Sequence, residues 1–152
     1  MQGGLLRLAT MLSVCTIGVP TAGLDMSLAG CWTNELGSIM WINVSDAGFI
    51  GGSYKSVVSA SGTVARGDIV GFQQDLTHPT FGFVVKWAIG SVTVWAGQYY
   101  NDGAGEQLVA MWLLRKKRQD PEDNWEATLA GMDVLNRANP ANCKVPDDRS
   151  EL

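Results

Sequence analysis

Short runs in which large apolar residues alternate with small or polar ones recur along most of this chain, and that period-2 pattern constrains the fold more than any other feature. In Ser91-Val92-Thr93-Val94-Trp95-Ala96, strand geometry sends Ser91, Thr93 and Trp95 to one face and Val92, Val94 and Ala96 to the other. Runs of this kind lie at about 31–35, 39–44, 49–57, 63–72, 80–88, 91–99, 107–116 and 125–137. Turn residues punctuate them. Asp46-Ala47-Gly48, Ala60-Ser61-Gly62 and Asn101-Asp102-Gly103-Ala104-Gly105 fill the links, and Pro79 heads a run, where a missing N–H does least harm. No segment carries a long 3.6-residue apolar stripe. Eight sequential strands with hairpin links describe an all-β fold, an eight-stranded antiparallel up-and-down β-barrel, and closure removes the edges such strands would otherwise expose.

The chain has 152 residues, one domain's worth, and its low charged fraction of 17 % with 18 Gly suits a barrel better than a helical bundle. A formal net charge of −4 argues against a nucleic-acid binder. The basic run Arg115-Lys116-Lys117-Arg118 precedes Asp120-Pro121-Glu122-Asp123 and reads as a solvated hairpin loop, not a nucleic-acid or membrane patch. Residues 1–23 read as a secretory signal: Arg7 supplies the positive start, Leu8 to Val19 the apolar core, and Thr21-Ala22-Gly23 small residues for cleavage. That apolar run is shorter than the roughly 20 residues of a membrane span. The expected organisation is therefore a signal (1–23), a barrel domain (24–138) and a flexible tail (139–152) in a secreted, extracellular protein.

Cys15 falls in the signal, which leaves Cys31 and Cys143. In a closed barrel the start of the first strand lies near the end of the last, so the two cysteines can meet in one disulfide, the alternative being two free thiols. Asn43-Val44-Ser45 is an N-glycosylation sequon in a eukaryotic host. Arg66-Gly67-Asp68 matches an integrin-type tripeptide, with Gly-Asp in a strand-linking turn as the simpler reading.

Applied throughout, the alternation gives an inward set. Trp32, Asn34 and Leu36, with Ser38 just beyond, come from the first strand, and Tyr54 and Ser56 from the third. Val85, Trp87, Ser91, Thr93 and Trp95 come from the fifth and sixth, and Trp112, Leu114, Leu129 and Asp133 from the last two. Polar members thus cluster among tryptophans. A buried hydroxyl, amide or carboxylate without a partner costs about 1–3 kcal/mol, so these groups call for a ligand or ordered water. Indoles with convergent hydroxyls suit a compact, mostly apolar ligand with a few polar atoms. The outward Val/Ala face then needs cover of its own, most simply a subunit contact.

With these residues assembled, the chain resembles the avidin/streptavidin family of biotin-binding proteins over about residues 28–137. Leu28-Ala-Gly-Cys-Trp-Thr-Asn-Glu-Leu-Gly-Ser38 is similar to the family's opening strand, and Gly52-Ser-Tyr-Lys-Ser-Val-Val58 to its third. Thr80-Phe-Gly-Phe-Val-Val-Lys-Trp87 resembles the fifth, Ser91-Val-Thr-Val-Trp-Ala-Gly-Gln98 the sixth and Met111-Trp-Leu-Leu114 the seventh. Trp125-Glu-Ala-Thr-Leu-Ala-Gly-Met-Asp133 is similar to the closing loop and strand. The resemblance implies that Asn34, Ser38 and Tyr54 donate to a ureido oxygen, while Asp133 and Ser56 accept from the ureido N–H groups. Thr93 faces the sulfur, and Ser91 with the backbone around Ser59-Ala60 holds the valerate carboxylate. Trp87, Trp95 and Trp112 wall the bicycle, and Leu36, Val58 and Leu114 complete the lining. Trp125 caps the site of a neighbouring subunit, in a homotetramer.

The implied function is high-affinity, non-catalytic binding and sequestration of biotin in the open end of the barrel, with no cofactor, no metal, no nucleic acid and no membrane partner. The alternative is a general small-lipophile carrier of lipocalin type, against which a ureido-shaped polar set counts. An enzyme is disfavoured because the sole histidine, His78, precedes Pro79 in a loop with no nucleophile, paired carboxylates or zinc spacing around it.

Overall fold

Each apolar–polar alternation becomes a strand with one face turned into a shared interior. The computed structural model describes residues 26–58, 62–74 and 77–143. Its strands are β1 (Gly30–Thr33), β2 (Ile39–Val44), β3 (Phe49–Ser56), β4 (Ala65–Gln73), β5 (Thr80–Trp87), β6 (Val92–Asn101), β7 (Glu106–Arg115) and β8 (Thr128–Arg137). Neighbours in sequence pair antiparallel, and β8 returns to β1 through Trp32↔Arg137 and Thr33↔Asn136, closing the barrel. The expected signal, Ser59, Ala60 and the last residues of the expected tail lie outside the described residues.

Most strand bounds agree with the sequence reading to within a residue or two, but the last does not. Trp125 is not the start of a strand: Pro121–Glu126 form a 3₁₀ helix, and β8 begins at Thr128. Pro121 favours this because the first helical position needs no N–H, and Asp123 N→Asp120 O and Ala127 N→Asn124 O close its turns. The first strand ends earlier than expected, at Thr33, where Gly37 (φ 83°) donates to Asn34 O and turns the chain. Arg66-Gly67-Asp68 is not a turn either. It lies inside β4, paired with Lys55, Tyr54 and Ser53 on one side, and from Gly67 with Trp87 and Lys86 on the other.

A meander of eight strands places the β1–β2, β3–β4, β5–β6 and β7–β8 links at one end. The opposite end holds the other links, with Met26 to Ala29 and Ala138 to Cys143. This second end is filled. Leu28, Trp32, Met40, Ile42, Leu108 and Leu135 are fully buried there or in the adjoining core, each contributing on the order of 1.5–3 kcal/mol. Arg137 seals it: its guanidinium lies 4.0 Å from the centroid of Trp32, bonds Glu106 and donates to the carbonyls of Ser27 and Ala29. Beyond β8, Asn139 accepts from Ala141 N to start the 3₁₀ turn Pro140–Asn142. Cys143 then reaches Cys31 in a disulfide, Cα atoms 6.0 Å apart, across 112 residues of sequence. Cross-linking over so long a loop is worth roughly 2–5 kcal/mol.

Outside the barrel, apolar side chains are left uncovered. Val84, Val94, Met111, Leu113 and Met132 are all exposed, and β5 to β8 set them side by side through Val84↔Val94, Val94↔Leu113 and Met111↔Met132.

Candidate functional site

The end opposite the Arg137 seal opens into a cavity of about 680 Å³, within the range usual for small-molecule pockets. The buried polar side chains Asn34, Ser38, Ser56, Ser91 and Thr93 all line it. Strand alternation explains this: each stands on an inward position at the mouth end of its strand or in the link just beyond.

Asn34 organises the floor. Its Oδ1 accepts the Ser38 N–H at 2.9 Å and its Nδ2 donates to Asp133 Oδ2 at 2.8 Å, which fixes the amide's orientation. One Asn34 N–H and one Asp133 oxygen are left over by these bonds, a donor and an acceptor side by side. Ser38 Oγ accepts from Val57 N at 3.2 Å and keeps its own hydrogen for donation. Ser56 Oγ accepts from Val58 N and donates to Val58 O. Tyr54 completes the group. Burial pushes its pKa up to about 12, the Asp133 carboxylate adding to the rise and hydrogen bonds with Ser38 and Ser56 offsetting part of it. The phenol therefore stays a donor well above neutral pH.

Indoles form the walls. Trp87 Nε1 donates to Thr93 Oγ1 at 2.7 Å, which pins the ring, and Tyr54 lies 5.3 Å from Trp87 and 5.9 Å from Trp95, centroid to centroid. Trp95 Nε1 is the one buried side-chain polar atom without a hydrogen-bond partner among the described residues. Two glycines make room for the walls. A Cβ on Gly131 would fall 2.5 Å from Trp112, and one on Gly67 3.1 Å from Trp87 and 2.7 Å from Val85.

Nearly every residue expected at the site converges on this cavity. Asn34, Leu36 and Ser38 enter from the β1–β2 link, and Tyr54, Ser56 and Val58 from β3 and the link that follows it. Trp87, Ser91, Thr93 and Trp95 come from β5, β6 and their link, and Trp112, Leu114 and Asp133 from β7 and β8. Trp125 does not line it. It stands 81 % exposed on the 3₁₀ helix. Asn43 is exposed on β2, away from the mouth. Sequence reasoning missed Ile89 and Ala65, and it missed Lys116, Lys117 and Arg118, which line the mouth although the basic run was read only as a solvated loop. Continuing the alternation from Trp112 and Leu114 reaches Lys116 and Arg118, whereas Lys117 falls on the other face and comes in across the β5–β6 link beside Gly90.

Comparison with known proteins gives a consistent result. Residues 23–138 match the model of the avidin family. Avidin of Gallus gallus is 37 % identical over 139 residues, covering 87 % of this chain and 91 % of avidin. Avidin-related protein 4/5 of Gallus gallus is 36 % identical over 137 residues, with the same coverage. Among solved structures, xenavidin is 40 % identical with a TM-score of 0.68, over 73 % of this chain and 97 % of that one. A structure described as a biotin binding protein from chicken is 39 % identical with a TM-score of 0.69, over 74 % and 96 %.

Proposed function

This chain belongs to the avidin family, and from that premise we propose that it binds biotin in the open end of its barrel, tightly and without catalysis, as a secreted homotetramer that sequesters the vitamin. The observation that carries the reading is the Asn34–Asp133 pair, with its spare donor and spare acceptor adjacent at the floor of an indole-walled cavity. A ureido group presents the complement, an oxygen beside N–H groups. Asn34, Ser38 and Tyr54 would donate to that oxygen, and Asp133 and Ser56 would accept from the two N–H groups. Because these groups are already held by Ser38 N, Val57 N and Val58 N, little ordering is left to be lost on binding. Trp87, Trp95 and Trp112 would cover the bicycle, with the Thr93 hydroxyl toward the sulfur and Ser91 toward the tail. Trp125, exposed and outside its own cavity, would reach a neighbouring subunit's site.

Titration with biotin should change tryptophan fluorescence, whereas a fatty acid of similar length should bind far more weakly. Asp133→Ala should cost about 2–4 kcal/mol of biotin affinity, since it strands a ureido N–H and an Asn34 N–H together. Equal binding of the two ligands would instead favour a general carrier of lipophiles.

A further inference from the structure

The inward face of β7 runs Trp112, Leu114 and then, one step past the strand's end, Lys116, so the wall of the cavity finishes in a cation at the mouth. Lys116 N–H donates to Ala127 O at 2.7 Å, which holds this position against the start of β8. Lys117 is placed by a different contact. Its stem crosses to the β5–β6 link, where a Cβ on Gly90 would lie 3.4 Å from the lysine's Cδ. Gly90 directly precedes Ser91, one of the cavity's buried hydroxyls. A groove of about 390 Å³ continues outward from the mouth and shares Lys116, Lys117 and Arg118 with the cavity.

The neighbouring cations are already engaged. Arg118 pairs with Glu126 at 2.9 Å, and Arg115 donates to Thr128 and Asn124. Lys116 and Lys117 have no carboxylate partner among the described residues, and Asp120 is the single acid lining the groove. A head group seated on Asn34 and Asp133 can send its tail only toward this mouth.

We propose that Lys116 and Lys117 read the charge at the outer end of the ligand, so that the site selects ligands whose tail ends in a carboxylate. The inference rests on the biotin reading and deepens it. Exposed ion pairs are individually weak and are screened by salt, but two like charges beside one concave mouth add their potentials at the ligand's tail. Together the two ammonium groups should favour an anionic over a neutral tail by roughly three- to tenfold at low salt.

Competition between biotin and its methyl ester for the purified protein, read by tryptophan fluorescence, measures this ratio without requiring either absolute affinity. The acid should win at low ionic strength, and its advantage should shrink in about 1 M salt, where the screening length falls to roughly 3 Å. Lys116→Met with Lys117→Met keeps the apolar stems but removes both charges, so the acid's salt-sensitive advantage over the ester should disappear. A wild-type ratio indifferent to salt would overturn the proposal and assign tail recognition to hydrogen bonds such as that of Ser91. So would a double variant that keeps the wild-type ratio. Equal binding of acid and ester at low salt removes only the charge-reading mouth, whereas failure of both ligands to bind removes the biotin reading and this proposal with it.

Discussion

Tyr54 shows how one residue's surroundings set its range of action. Its ring packs against Trp87 and Trp95, and its hydroxyl is buried close to Asp133, so the neutral form is favoured and the pKa rises from 10.0 to about 12. The sign follows from linkage. The unfolded chain ionises this phenol near pH 10 while the folded chain does not, so the stability it confers is complete below pH 10 and lost as pH rises toward 12. Two pKa units correspond to about 3 kcal/mol. Denaturant midpoints of wild type should therefore fall across this alkaline window, and Tyr54→Phe should remove much of the fall. On the function proposed above, the same variant should also weaken biotin at neutral pH, by removing one of the proposed donors to the ureido oxygen. An identical alkaline profile in both proteins would show that another group is titrating.

At the scale of elements, the barrel is two devices joined end to end: a filled end that holds it shut and a hollow end that faces solvent. Arg137 of β8 belongs to the first. It bridges β7 through Glu106 and β1 through Trp32, and it ties down the segment leading into β1 through Ser27 and Ala29. Its guanidinium holds the Glu106 carboxyl below the usual range, so the stability from this pair is present above the ordinary glutamate pKa and lost as pH falls through the depressed value. Arg137→Ala should lower stability by roughly 2–4 kcal/mol and flatten its acid dependence below about pH 4, leaving biotin affinity unchanged because the cavity lies at the other end. Loss of affinity in the folded variant would show that the two ends are coupled. This division also marks what was legible beforehand. Period-2 alternation needs only local sequence, so it identified the inward residues of the cavity and the meander that joins them. The Arg137 bridge depends on register between residues 31 to 110 positions apart, and nothing local announces it. The 3₁₀ helix at Pro121–Glu126 was missed because the apolar alternation of β8 appeared to continue back to Trp125. Charge ordinarily marks solvent, so composition hides the mouth lysines, whereas the alternation that places Leu114 also places Lys116.

For the whole molecule, the exposed features call for company. Trp125 covers nothing in its own cavity, and Val94, Met111, Leu113 and Met132 form an apolar patch of the kind that marks a contact surface. If Trp125 closes a partner's site, ligand binding and assembly are linked, because a ligand stabilises whichever form holds the lid. Trp125→Ala should then weaken biotin by roughly 2–4 kcal/mol and loosen the oligomer in light scattering, with the β signal in circular dichroism unchanged. A wild-type monomer that holds biotin tightly would end the idea of a shared lid. The even number of strands has a practical corollary. Met26 and Cys143 both stand at the sealed end, the first held through its carbonyl by Gln73 and the second by the Cys31 bridge, while every link around the cavity lies at the other. A protein fused beyond Cys143, or a solid support attached there, would meet the barrel on its blind side, so the protein could be displayed in one orientation with its cavity facing outward.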